Sequence, residues 1–225
     1  MKTPQRVVWS EGMYMSPHHI QQLDLYHEAL LETRLGSVSP YPWGVGSLQF
    51  DMEALRAGQV HLLEFFGVLP DGLPVSFEAG QEEAPPARPV EGHFRPTQPV
   101  LEVYLGIPKE RSDVESYGPT GQLGSSPRFT PRSRPVSDLH ATTSVVPVSF
   151  ALRNLKLLFG TEARDDFDAL KIAELTRDQT GTLVLVNNYI PPCLRISASP
   201  FIMNELRTLL RLLVSKQRQL SPRRR

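Results

Sequence analysis

The sequence predicts a mainly β chain with flanking helices: an antiparallel β-sandwich with one helix before it and another after it. Three observations carry that prediction. Between Trp43 and Val186, short apolar runs of strand length recur between clusters of Pro, Gly, Asn and Asp. Ser16-Pro17 and Ser199-Pro200 both read as an N-cap followed by proline at the first helical position. After each of these pairs the apolar residues recur at helical rather than alternating spacing.

The elements follow in order. Val7, Val8 and Trp9 favour extended backbone, and Gly12 permits a tight bend before the first helix. Ile20, Leu23, His27, Leu30 and Leu31 then form one stripe expected to face a core, with Gly36 as the stop. Trp43 to Phe50 reads as a strand, and Asp51 caps a helical turn that Gly58 ends. Val60 to Leu69 is a second strand. Pro70-Asp71-Gly72 is a turn, because proline presets φ and glycine supplies positive φ, so Leu73 to Phe77 returns antiparallel.

The proline-rich stretch 81–99 is a loop, and Pro99 to Ile107 alternates as a strand. Residues 108–139 hold few large apolar side chains and are expected to be a mobile insertion. Strand patterns return from Thr143 to Phe159 and from Phe167 to Val186. The last helix carries Ile202, Leu206, Leu209, Leu213 and Leu220 as a heptad seam whose one polar position is Lys216. Leu210, Leu212 and Val214 widen its apolar face, so a helix of this kind requires partners.

At 225 residues the chain can bury one good core. Its 24 basic and 24 acidic residues cancel, which removes any global charge argument for nucleic acid or a membrane surface. Arg128, Arg132 and Arg134 would make a local basic patch, but no aromatic platform accompanies them and a solvated loop is the simpler reading. Cys193 lies in an apolar Pro-Pro-Cys-Leu setting that suits a buried thiol in a reducing compartment. No signal-peptide run and no window long enough to span a bilayer occurs, which points to the cytoplasm and to no direct membrane insertion.

The chemistry-bearing patterns are weak. Adjacent His18 and His19 diverge by about 100° on a helix and cannot chelate one ion together, and His27 has no histidine one turn away. Nothing in the spacing holds Glu64 and Glu102 together as an acid pair, and Gly44-Val45-Gly46 lacks a third glycine. No catalytic residue, metal or cofactor is expected. Trp9, Tyr14, Tyr41 and Trp43 sit beside Pro and Gly, where rigid aromatic anchors of interfaces are found, although a core role serves Trp9 and Trp43 equally well.

Val8-Trp9-Ser10-Glu11-Gly12-Met13, with Pro17, His19, Gln21 and Gln22, resembles the N-terminal signature of the TssK family of type VI secretion baseplate subunits. Tyr41-Pro42-Trp43-Gly44 with Asp51, Leu55 and Gly58 is similar to the family too, as is Tyr189-Ile190-Pro191-Pro192-Cys193-Leu194. The resemblance implies a β-rich shoulder domain over 1–197, similar to that of phage receptor-binding proteins, and the first helix of a helical-bundle neck over 198–225. Family members continue into a C-terminal head, which this sequence lacks, so it looks like an N-terminal half.

The resemblance further implies a homotrimer that docks on the wedge subunits TssF and TssG at the inner face of the inner membrane and reaches the membrane complex only through the head. On that reading Trp9, Glu11, Met13, Tyr14, His18, Gln22 and Trp43 are the candidate wedge interface. Ile202, Leu206, Leu209, Leu213 and Leu220 are then the seam of the oligomer. A phage-type receptor- or carbohydrate-binding sandwich is the alternative, and it does not account for the N-terminal signature.

Overall fold

A computed structural model describes residues 5–111, 116–118, 126–140 and 144–220. The chain forms two compact units, residues 1–42 and 43–225.

The first unit is an extended segment folded back along helix α1 (Pro17–Val38). Arg6 donates to the Tyr26 hydroxyl at 2.9 Å with its guanidinium 5.4 Å from that ring, and the rings of Trp9 and His19 lie 6.3 Å apart. At the helix start the backbone N–H of Ser16 donates to His19 Nδ1 at 3.1 Å, closing a capping box in which histidine takes the usual Glu or Gln position. The helix runs through Gly36, contrary to the sequence expectation, and ends at Val38. The residue that ends it is Ser39, which precedes Pro40 and is therefore driven to extended backbone, φ −130° and ψ 124°. None of the α1 residues is buried. Leu23 and Leu30 are half covered while Ile20 and Leu31 are exposed, so the expected single core-facing stripe is not found.

The second unit is the β-sandwich. Strands β1 (Gly44–Phe50), β3 (Leu62–Val68) and β4 (Pro74–Glu78) make an antiparallel sheet in the order β1-β3-β4. Strands β6 (Leu101–Pro108), β9 (Lys156–Phe159), β10 (Phe167–Arg177) and β11 (Leu183–Leu185) make the other, in the order β11-β10-β6-β9. Inward side chains of both sheets, among them Val45, Phe65 and Phe77 of the first and Val103, Leu105 and Leu170 of the second, belong to one buried cluster. The Phe65 and Phe77 rings stack across β3 and β4 at 5.8 Å.

Local chemistry sets the connections. Asp51 accepts from the N–H groups of Glu53 and Ala54 to cap the short helix α2 (Met52–Arg56). The β3–β4 turn forms as the sequence predicts, with Gly72 at φ +89°. The apolar run 60–69 is divided: β2 (Gln59–Val60) pairs with β5 (Arg88–Pro89) in a separate two-stranded sheet, and β3 begins after His61. On β10 a register shift between Lys171 and Ala173 leaves Ile172 as an extra residue, which interrupts the strict alternation expected there.

The stretch expected to be a mobile insertion, 108–139, instead contains the strand β7 (Phe129–Ser137), which pairs along its length with β8 (Val145–Arg153). Residues 112–115 and 119–125 lie outside the described ones. A 3-10 turn (Ile196–Ala198) leads into helix α3 (Pro200–Leu220). Among the described residues no helix is long and apolar enough to cross a membrane.

Candidate functional site

The candidate wedge residues fall in both units. Trp9, Glu11, Tyr14, His18 and Gln22 are exposed in the first, with Tyr14 the most open at 87 %, and Met13 is half covered. The extended 5–9 segment presents Trp9, the bend at Glu11-Gly12 redirects the chain, and the first turns of α1 place His18 and Gln22 one turn apart on the same face. Trp43 belongs to the second unit, where it is half buried and packs against the sandwich core. The signature thus exposes apolar and aromatic surface, which suits contact with another protein.

The candidate oligomer seam lies on α3. Ile202 is half covered, whereas Leu206, Leu209, Leu213 and Leu220 are exposed, as are Leu210, Leu212 and Val214. No residue of α3 is buried. Seven large apolar side chains on one solvent-facing helix exceed what a monomer leaves uncovered without reason.

The ionisable groups weighed for chemistry are held in structural roles. Glu64, on β3, accepts from the Ser47 hydroxyl at 2.6 Å. Glu102, on β6 in the other sheet, accepts from Lys171 Nζ at 2.5 Å and from the Tyr104 hydroxyl at 2.9 Å. The Lys171 hydrogen bond holds the Glu102 carboxyl below its usual range despite partial burial. Lys171 also donates to Glu174 at 2.7 Å; burial opposes its charge, but the two carboxylates prevail and raise it. Burial likewise pushes the Tyr189 phenol up to about 12 and the Cys193 thiol above its ordinary value. The Cys193 Sγ–H donates to the Pro191 carbonyl at 3.0 Å. Among the described residues no group of three or more His, Cys, Asp and Glu side chains is placed to hold a metal ion.

The structure corrects both readings of the arginines. Arg128 is only 7 % exposed and donates to the Pro108 carbonyl at 2.8 Å, to Asp168 at 3.1 Å and to Asp71. Burial and the neighbouring Asp71 charge raise the Asp168 carboxyl, against the pull of Arg128. Arg134 and Arg132 flank Glu82 at 2.9 and 3.5 Å, and the Arg134 hydrogen bond holds that carboxyl low. They therefore form neither a free basic patch nor a solvated loop. They belong to the root and one face of the β7–β8 ribbon, which Glu83 also ties by accepting from the Arg153 N–H at 3.0 Å and its guanidinium at 2.7 Å. Sequence reasoning missed this feature, because the acidic partners lie tens of residues away and no local pattern announces them.

The fold is a β-sandwich that carries two elements with open apolar surface, and the family match says to which class of protein it belongs. The model of the bacterial type VI secretion family described by the names VC_A0110, EvfL, ImpJ and VasE matches residues 19–225, so the chain belongs to that family. It is 32% identical over 220 residues to the type VI secretion system baseplate component TssK1 of Pseudomonas aeruginosa, covering 97% of this chain and 48% of that protein. The chain thus spans about half the length of the curated relative.

Two solved structures share the fold. A crystal structure of TssK matches 98% of this chain and 49% of its own with a TM-score of 0.85 at 27% identity. A cryo-electron microscopy structure of the type VI secretion TssK-TssF-TssG baseplate subcomplex contains a chain that matches 98% of this one, and 72% of itself, with a TM-score of 0.87 at 22% identity.

Proposed function

We propose that this chain is a structural, non-catalytic part of a type VI secretion baseplate subunit, one that self-associates and docks on the wedge subunits TssF and TssG. The observation that carries the reading is the match of nearly the whole chain to TssK at a TM-score of 0.85, together with open apolar surface on the segment that bears the N-terminal signature. In this reading residues 1–197 are the shoulder and 198–225 open a helical neck, whose exposed leucine seam supports a trimer. Trp9 and Tyr14 anchor the wedge contact, with Glu11, Met13, His18 and Gln22 beside them in the first unit, and Trp43 is a further wedge candidate in the second. The assembly works at the inner face of the inner membrane.

The test is capture of this chain by its cognate TssF–TssG pair, with molar mass read by light scattering on the eluted complex. Stable capture is the expected result. Trp9→Ala/Tyr14→Ala should weaken capture by about a hundredfold, the scale of losing two aromatic anchors, while leaving the melting of the sandwich unchanged. Capture of the double variant at undiminished affinity would remove the signature from the interface.

A further inference from the structure

Helix α3 is apolar over too wide an arc for one neighbour. At about 100° per residue the arc runs from Leu209 through Leu213, Leu206 and Leu210 to Val214 and spans about 140°. A coiled-coil seam uses a narrower stripe. The seam assigned above to self-association, with Ile202, Leu209 and Leu213, fills one side of the arc. Leu210 and Val214, 53 % and 45 % exposed, lie on the other.

The two borders of the arc differ in charge. Beyond Val214 come Arg207, Arg218 and Arg211, at about 100°, 120° and 140° from Leu206, all exposed and with no carboxylate among them. Beyond Leu209 come Lys216 and Glu205, one charge of each sign. The structure brings the first border together, because Leu210, Val214, Arg211 and Arg218 line one shallow groove.

Nothing within the helix balances the arginine stripe. None of its three members has an Asp or Glu three or four positions away, and Arg207 and Arg211 are themselves one turn apart, where like charges repel. Arg207 donates to Asn204 Oδ1 at 3.4 Å, a neutral acceptor. The stripe therefore presents its charge outward, beside open leucine and valine.

We infer that the Leu210–Val214 flank of α3 docks an acidic amphipathic helix, with apolar side chains on the arc and carboxylates against Arg207, Arg211 and Arg218. The inference rests on the helical neck proposed above and names the chemistry of one neighbour that such a neck requires. Charge decides the occupant. A second copy of this flank would set arginine against arginine, so a copy belongs at the seam, whose border carries both signs. An anionic bilayer would also neutralise arginines. However, Ile202, Leu206, Leu209 and Leu213 recur at four, three and four residues, the period of helix-on-helix packing, and Lys216 and Gln217 interrupt the surface that a lipid-facing helix keeps continuous.

The test uses the whole chain and a synthetic helix with leucine at heptad positions a and d and glutamate on both flanks, against the same helix with lysine for glutamate. Binding is read by fluorescence anisotropy of the labelled helix at low and at high salt. The glutamate helix should bind about tenfold more tightly than the lysine helix at low salt, the scale of three exposed ion pairs, and salt should narrow the gap. Arg207→Glu/Arg211→Glu/Arg218→Glu, which changes only exposed positions, should reverse the order and leave the melting of the sandwich unchanged. Equal binding of the two helices, or a triple variant that keeps the wild-type order, overturns the inference. Failure of both helices to bind overturns it as well, and capture of the chain by phosphatidylglycerol vesicles would then make a lipid surface the occupant. Self-association is read separately, by light scattering on the chain alone. A monomer there removes the copy from the seam and leaves the acidic-helix result standing.

Discussion

Replacing Arg128 by methionine should destabilise the second unit far more than removing an arginine from a surface loop would. The guanidinium satisfies the Pro108 carbonyl and two carboxylates, Asp71 and Asp168, whose side chains are 19 % and 22 % exposed. Methionine keeps the apolar stem and deletes the charge, leaving two like charges side by side with restricted access to water. Breaking a buried pair by removing one partner costs about 3–5 kcal/mol, and partial exposure places this case near about 3 kcal/mol. At an m-value of about 2.5 kcal/mol/M, the urea midpoint should fall by about 1.2 M at neutral pH.

The pH dependence gives the sharper check. Burial and the neighbouring Asp71 charge already hold Asp168 above its ordinary value, and loss of Arg128 removes the interaction that pulls it down. A carboxyl whose folded pKa exceeds its unfolded value of about 3.9 makes the native state bind more protons, so stability falls as pH rises through that window. The penalty of Arg128→Met should therefore be complete at neutral pH and shrink in acid as the raised Asp168 carboxyl protonates. Arg128→Met/Asp71→Asn/Asp168→Asn should recover more than half of it. A penalty below about 1 kcal/mol, the scale of exposed pairs, or one that does not vary with pH, would refute the assignment of Arg128 as the buried hub of the ribbon root.

Two further outcomes follow from single positions. Gly44 has φ +139°, and a β-carbon there would lie 2.6 Å from the Pro192 carbonyl oxygen, so Gly44→Ala should lower stability by about 2–4 kcal/mol in a denaturant melt. The Cys193 thiol, raised by burial, should react with iodoacetamide near neutral pH about tenfold more slowly than a free thiol, and the rate should reach that of the free thiol on unfolding.

Much of the sandwich was legible because its strands obey local rules. The β3–β4 hairpin was set by Pro70-Asp71-Gly72 and by alternation, and α2 by the Asp51 cap and Gly58, all within a few residues. The failures occurred where a distant contact overrode a local signal. Residues 129–137 hold only Phe129 and Val136 as large apolar side chains, yet they form β7 because β8 pairs with them and the Arg128 cluster fixes their root. Gly36 looked like a stop, but the Ser39-Pro40 pair ended the helix two residues later. At the candidate site, the identity of the N-terminal signature was readable from its residues. Its division from Trp43, which packs in the second unit, was not, because a linear motif carries no information about where one compact unit ends.

The start of the sandwich is pinned by residues that follow it by as much as 149 positions. Val45 donates to the Pro192 carbonyl at 2.7 Å, Leu194 donates back to Val45 at 2.9 Å, and Arg195 reaches the Gly46 carbonyl at 2.6 Å. During synthesis β1 must therefore wait, with one edge open, until the segment around residue 195 has left the ribosome. Closing so long a loop costs entropy that only the completed sheet repays. Folding of the second unit should be slow for its size, and a ribosome stalled before that segment would hold a sheet that lacks its final strap.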